Sequence, residues 1–214
     1  MAYGPATHKE RKLMKLNIPN VLTLLRFVIT IAIVVLLSLP LTIEDIPTTG
    51  FNPIDLVCCL LFIIGAVSDA LDGNIARKKN LVSDFGKFAD PLADKALVNC
   101  SLIVLCATKG EYVSFILVVM MIFRDLAVDG LRFIASSSGE VIAANIYGKL
   151  KTVVQMIVIP ILFLEGFPFN YLFKENTYIL TNILLGIAVI FSWISGFIYL
   201  YRGRKYLGCK KNGN

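Results

Sequence analysis

The sequence predicts an all-α polytopic membrane protein with six transmembrane helices and a short N-terminal interfacial helix. Three observations carry that prediction. Of 214 residues, 57% are hydrophobic and only 17% charged, where a soluble domain carries about 25% charged residues. Six apolar runs approach or exceed the ~20 residues that a helix needs to cross hydrocarbon. The basic residues also collect at alternate ends of those runs, as the positive-inside rule expects of one membrane face.

The spans fall at roughly 19–39, 54–76, 88–108, 112–135, 147–165 and 177–201. The first is too long for a cleaved signal peptide, and no small-residue cleavage site follows Leu39-Pro40. Ahead of it, KLNIPN reads as the interfacial lead-in, broken at Pro19-Asn20. Residues 1–13 are set aside as a tail, 14–205 form a single six-helix transmembrane domain, and 206–214 are a basic tail. Loop 40–53 is turn-rich, with Pro40, Pro47, Gly50 and Pro53, and loop 165–176 is similar. Lys9, Arg11, Lys12 and Lys15 precede the first span; Arg77, Lys78, Lys79 and Lys87 separate the second from the third; Arg202, Arg204 and Lys205 follow the sixth. Both termini and the second-to-third loop are therefore expected on the cytoplasmic side of the cell membrane. Charges that flank spans do not form a nucleic-acid-binding stripe, so a nucleic-acid partner is not expected. Five cysteines without CxxC spacing, and one histidine (His8) in the tail, argue against zinc, a disulfide framework and histidine catalysis.

The chemistry concentrates in DALDGNIARKKNLVSDFGKFADPLAD, residues 69–94. Asp69 and Asp72 are three apart and share a helix face; Asp90 and Asp94 are four apart and do the same. Pro91 is expected in the first turn of the third span, where proline is tolerated. A short loop between antiparallel neighbours brings both pairs to one end of the bundle. Asp84 reads as a solvated charge in mid-loop. Four converging carboxylates repel unless cations neutralise them. Oxygen ligands without His or Cys favour Mg²⁺, Mn²⁺ or Ca²⁺, and two such ions suit phosphoryl chemistry. Gly73 and Ala76 leave room for a phosphate or nucleotide, and Arg77 offers a guanidinium fork. The alternative is that the aspartates are solvated caps of helix ends.

Asp69-x-x-Asp72-Gly73-x-x-Ala76-Arg77, eight residues, then Gly86-x-x-x-Asp90-x-x-x-Asp94 resembles the complete signature of the CDP-alcohol phosphotransferases. The resemblance implies a six-helix membrane fold, usually homodimeric. It implies two Mg²⁺ or Mn²⁺ ions on Asp69, Asp72 and Asp90 with help from Asp94. Asp94 is also implied as the base that activates the acceptor hydroxyl, and Gly86 as part of the CDP-lipid site.

The acceptor must be read elsewhere. Arg124 and Arg132 are eight apart in the fourth span, and Lys149 and Lys151 open the fifth. Cations so close to the core need an anion, and a compact phosphate satisfies them. Alternatively, Arg124 pairs with Asp125 or Asp129 and the lysines snorkel to headgroups. As a set they point to an acceptor that carries a phosphate, such as glycerol 3-phosphate. NIPNVLTLLR (17–26), R-D-x-x-x-x-G-L-R and G-K-L-K-T also resemble the bacterial phosphatidylglycerophosphate synthases, although that group more often has Glu where Asp125 stands. This resemblance places Asn20, Thr23 and Arg26 near the donor; helix capping by Asn20 and Thr23 is the alternative.

The expectation is transfer of the phosphatidyl group from CDP-diacylglycerol, which enters from the inner leaflet, to glycerol 3-phosphate. A cardiolipin, inositol-phosphate or serine acceptor stays open. So does a divalent-cation transporter, against which the outer half of the bundle is expected to lack an acidic counterpart.

Overall fold

A computed structural model describes residues 18–40, 52–79, 84–137, 146–170 and 176–207. The interfacial lead-in before residue 18, loop 41–51, the N-terminal tail and residues 208–214 lie outside it. Six helices follow in order: α1 (Ile18–Ser38), α2 (Pro53–Lys79), α3 (Asp84–Thr108), α4 (Phe115–Ser137), α5 (Ile146–Phe163) and α6 (Thr177–Leu207). No strand occurs among the described residues.

Four stretches are long and apolar enough to cross a bilayer: Asn20–Ser38, Ala89–Thr108, Ile146–Phe163 and Thr177–Arg204. The apolar part of α2, Pro53–Ser68, is shorter, and α4 carries Arg124 and Asp125 near its middle and Asp129 and Arg132 in its second half. Large apolar side chains also face outward, including Ile31, Ile116 and Phe133, which are 63%, 68% and 76% exposed. Helices apolar on both faces belong in lipid, and the chain is a helical membrane protein.

Two boundaries differ from expectation. Pro19-Asn20 does not break the chain; it lies in the first turn of α1, where proline loses no helical bond. α3 starts at Asp84 rather than near residue 88, so Asp84 opens a helix instead of sitting in mid-loop, and Pro91 is interior. Aspartate is a residue type favoured at helix N-termini. Proline at 91 leaves the carbonyl four residues earlier without its usual donor.

α1 packs chiefly on α3 and α2, while α4 and α5 pack on α6; contacts of α3 with α4 and α5, and of α2 with α5, join the two groups. Leu97, Leu102 and Leu105 of α3, Ile29 and Ile33 of α1, and Phe62 of α2 are buried in the shared core. Phe62 meets Phe163 of α5 with ring centroids 5.9 Å apart. Gly65 lets three helices approach, since a Cβ there would lie 2.8 Å from Leu97 Cδ2.

At the end of the bundle opposite the aspartates, a partly buried ion cluster ties helix ends together. Lys109, just past α3, contacts Asp55 at the start of α2 and Glu165 just past α5, each at 2.6 Å. α5 ends in a left-handed turn: Gly166 N–H donates to Ile161 O at 2.8 Å and Glu165 N–H to Leu162 O at 3.2 Å, with φ of 52° at Glu165 and 86° at Gly166. Glycine is usual at the first left-handed position; a glutamate holds it here, and its carboxylate reaches Lys109. A Cβ at Gly166 would lie 2.4 Å from Thr177 Cγ2. From α6, Thr181 Oγ1 donates to Tyr112 O at 2.8 Å, and Asn182 Oδ1 accepts from Ser114 N at 2.8 Å. The expectation that the outer half of the bundle lacks an acidic counterpart is therefore incorrect for Asp55, which is buried there and was hidden by the apolar run around it. With Lys109 between them, Asp55 and Glu165 tie helix ends together.

Burial by itself pushes the Lys109 ammonium down, but its bonds to Asp55 and Glu165 outweigh burial and raise it above 10.5. The stabilisation this shift represents is therefore complete below the ordinary lysine value and is lost only as pH rises through the raised one. Lys109→Met is expected to lower stability in detergent by about 3 kcal/mol, since it leaves Asp55 buried without a cation. Thermal unfolding checks this, and adding Asp55→Asn to Lys109→Met should recover part of the loss.

Candidate functional site

Helix direction sets the site. α2 runs toward the aspartate end and α3 away from it, so Asp69, Asp72, Gly73, Ala76 and Arg77 lie in the last turns of α2, and Gly86 and Asp90 in the first turns of α3. The side chains of residues 69–79 and 84–88 lie outside the described part. Among the described residues no three His, Cys, Asp or Glu side chains cluster.

α1 supplies the support. Asn20, Thr23 and Arg26 recur every three residues on one buried face, at 3%, 0% and 0% exposure. Thr23 Oγ1 donates to Asp90 Oδ1, fixing that carboxylate from the neighbouring helix. Asn20 and Thr23 are inside α1 rather than at its cap, so capping does not explain them. One turn further along, Thr30 Oγ1 donates to Arg26 O at 2.8 Å.

Asp94, one turn past Asp90, opens onto a cavity of about 250 Å³ between α3, α4, α5 and α6. The same cavity is lined by Arg124 and Arg132 of α4 and by Lys149 and Lys151 of α5. The structure thus brings the expected base and all four expected cations into one space. Arg132 and Lys149 are exposed at its rim, and Arg124 and Lys151 are buried deeper.

The buried pair shares a carboxylate. Lys151 Nζ donates to Asp125 Oδ1 and Oδ2 at 2.7 and 2.5 Å. Arg124 Nη1 donates to the same Oδ1 at 3.0 Å. The alternative pairing of Arg124 with Asp125 is therefore real, and it extends to Lys151. It does not exhaust the guanidinium: Arg124 Nε and Nη2 are buried and donate no hydrogen bond among the described residues. Gly196 of α6 makes the room, because a Cβ there would sit 3.1 Å from Arg124 Nε. Nothing lies within 4 Å of a Cβ at Gly186, so the two glycines differ in purpose.

Sequence reasoning missed several lining residues. Lys95, beside Asp94, pairs with Asp129 of α4 at the rim. Asn99, Gln155 and Tyr199 also line the cavity. Lys95 and Asn99 stand one and five residues past Asp94, a spacing that points to the same side of α3 only once the cavity is known. In all, five cations face three carboxylates. A partly buried site with excess positive charge and unused guanidinium donors is suited to a small, multiply charged anion.

The pattern of the CDP-alcohol phosphatidyltransferases matches residues 16–194. The chain belongs to this family. Relatives named CDP-diacylglycerol–glycerol-3-phosphate 3-phosphatidyltransferase include one from Bacillus subtilis, 38% identical over 190 residues, covering 86% of this chain and 93% of the relative. One from Mycoplasma pneumoniae is 37% identical over 199 residues, covering 86% of each. One from Rickettsia bellii is 33% identical over 190 residues, covering 89% of this chain and 97% of the relative. The family generally depends on divalent cations. The donor set fits that chemistry: the signature positions offer oxygen ligands alone, with neither His nor Cys among them.

Asp125→Asn is expected to cost about 3 kcal/mol of stability, because two buried cations lose their carboxylate. Asp129→Asn, which breaks the half-exposed pair with Lys95, should cost less than about 1 kcal/mol. Parallel unfolding curves of the two variants check the contrast.

Proposed function

We propose that this chain transfers the phosphatidyl group of CDP-diacylglycerol to the primary hydroxyl of glycerol 3-phosphate, giving phosphatidylglycerol phosphate and CMP. The observation that carries this reading is the single cavity that holds Asp94 together with Arg124, Arg132, Lys149 and Lys151. A neutral headgroup such as serine would leave the excess cations unmatched. A lipid acceptor would need a second groove, and about 250 Å³ is below the ~300–1,000 Å³ typical of drug-sized ligands. The names of the relatives agree with a glycerol 3-phosphate acceptor.

In this mechanism the acceptor phosphate binds against the four basic side chains, where the spare donors of Arg124 await an oxyanion. Asp94 accepts the proton of the primary hydroxyl. The hydroxyl oxygen forms a bond to the lipid-proximal phosphorus as the bond from that phosphorus to the CMP oxygen breaks. The CDP moiety lies over Gly73, Ala76, Arg77 and Gly86, with Asn20, Thr23 and Arg26 behind it. Asp69, Asp72, Asp90 and Asp94 would hold two Mg²⁺ or Mn²⁺ ions, which would neutralise the diphosphate and the departing CMP. Thr23 keeps Asp90 oriented for that purpose.

All six helices cross the membrane in this reading. At 1.5 Å per residue, the 27 residues of α2 and the 23 of α4 reach about 40 and 35 Å, more than the hydrocarbon thickness. Arg77, Lys78 and Lys79 at the end of α2, with Arg202 and Arg204 on α6, support a cytoplasmic aspartate end by the positive-inside rule. The working unit is a homodimer, as the family resemblance implies.

CMP release by the purified chain with CDP-diacylglycerol and Mg²⁺, offered separate acceptors, tests the proposal. Release is expected with glycerol 3-phosphate and not with phosphatidylglycerol, inositol phosphate or serine; the reverse pattern would contradict it. Asp94→Asn should cut turnover by roughly 100-fold or more while CDP-diacylglycerol binding is largely kept. Gly196→Val should displace Arg124 and raise KM for glycerol 3-phosphate about tenfold, leaving KM for the donor unchanged.

A further inference from the structure

Two neutral amides at the floor of the cavity are not used by the chemistry above. Asn99 lines it from α3 and Gln155 from α5. Asn99 is ten residues past Ala89, and Gln155 nine past Ile146, where their apolar stretches begin. Each therefore lies about 14–15 Å along its helix, close to the middle of ~30 Å of hydrocarbon.

Polar groups at that depth are costly unless they are hydrogen-bonded, and both are short of good partners. Asn99 Oδ1 is buried and accepts no hydrogen bond among the described residues. Gln155 is 3% exposed, and its Nε2 donates to Met121 Sδ, a thioether and so a weak acceptor. Leucine and methionine would fill the same space without that cost, so the amides need a reason to be there.

The charged groups account for two parts of glycerol 3-phosphate, its phosphate and its attacking hydroxyl. They leave its secondary hydroxyl without a partner. A hydroxyl both donates and accepts. It can give its proton to Asn99 Oδ1 and take one from Gln155 Nε2, which exchanges a weak sulfur acceptor for oxygen.

We infer that Asn99 and Gln155 bind the secondary hydroxyl of the acceptor and set the specificity of the site for a hydroxylated phosphate. This rests on the transferase reading above.

The test compares kcat/KM for glycerol 3-phosphate with that for 3-hydroxypropyl phosphate, which lacks only the secondary hydroxyl. The full chain is assayed in mixed micelles with CDP-diacylglycerol and Mg²⁺. The unaltered chain is expected to favour glycerol 3-phosphate by about 100-fold or more, because the analogue leaves buried polar groups unpaired. In Asn99→Leu and in Gln155→Met the preference should fall below about tenfold, through loss of glycerol 3-phosphate turnover with the analogue's rate retained. The preference is a ratio within one variant, so any loss of folded protein cancels. If Asn99→Leu gives no folded protein, Asn99→Ser replaces it. An unchanged preference in the variants, or none in the unaltered chain, overturns the inference and leaves the transferase reading intact. No release by the unaltered chain with either acceptor overturns the transferase reading and the inference with it.

Discussion

The grip of Asp125 on Lys151 and Arg124 is the contact on which the site depends. Both cations are more than nine-tenths buried, and a lone ammonium or guanidinium at that depth would be strongly disfavoured. One carboxylate, shared between α4 and α5, holds both at fixed positions. Gly196 completes the arrangement from α6 by letting the Arg124 stem lie against its backbone. Three helices are thereby committed to the back of one cavity, and α3 closes the front with Asp94. Asp94 and the cations come from different helices, so the packing of those helices sets their separation.

The two ends of the bundle handle charge in opposite ways. At the end away from the aspartates, Lys109 sits between Asp55 and Glu165, and polar groups of α6 bond the α3–α4 turn. At the aspartate end, five cations face three carboxylates around an open space, and Arg124 has donors to spare. The first arrangement gives a rigid base. The second has excess positive charge and is suited to an anionic ligand. An anchored end opposite a cationic one suits an enzyme that must hold reacting groups still in a fluid membrane.

Much of this was legible in the sequence, and the failures have physical causes. Apolar runs located all six helices, four of which are long and apolar enough to cross a bilayer. The start of α3 was misjudged because DFGKF mixes charges and a glycine with its two phenylalanines and Pro91 reads as a helix start. The pairing of Asp55 with Lys109 escaped notice because an ion pair across 54 positions leaves no local pattern. Arg124, Arg132, Lys149 and Lys151 stood out, since charges in apolar runs are expensive. Asn99 and Gln155 did not, because a single neutral amide in such a run looks like tolerated variation until a cavity is seen beside it. The sharing of Asp125 between two cations was half anticipated; its reach to Lys151 needed the packing of α5 on its neighbours.

The most direct measurement is an experimental structure of the chain with glycerol 3-phosphate and Mg²⁺ bound. The account predicts the phosphate within hydrogen-bond distance of Arg124 and Lys151, and the primary hydroxyl beside Asp94. A phosphate bound outside the α3–α4–α5–α6 cavity, or an acceptor hydroxyl turned away from Asp94, would contradict it.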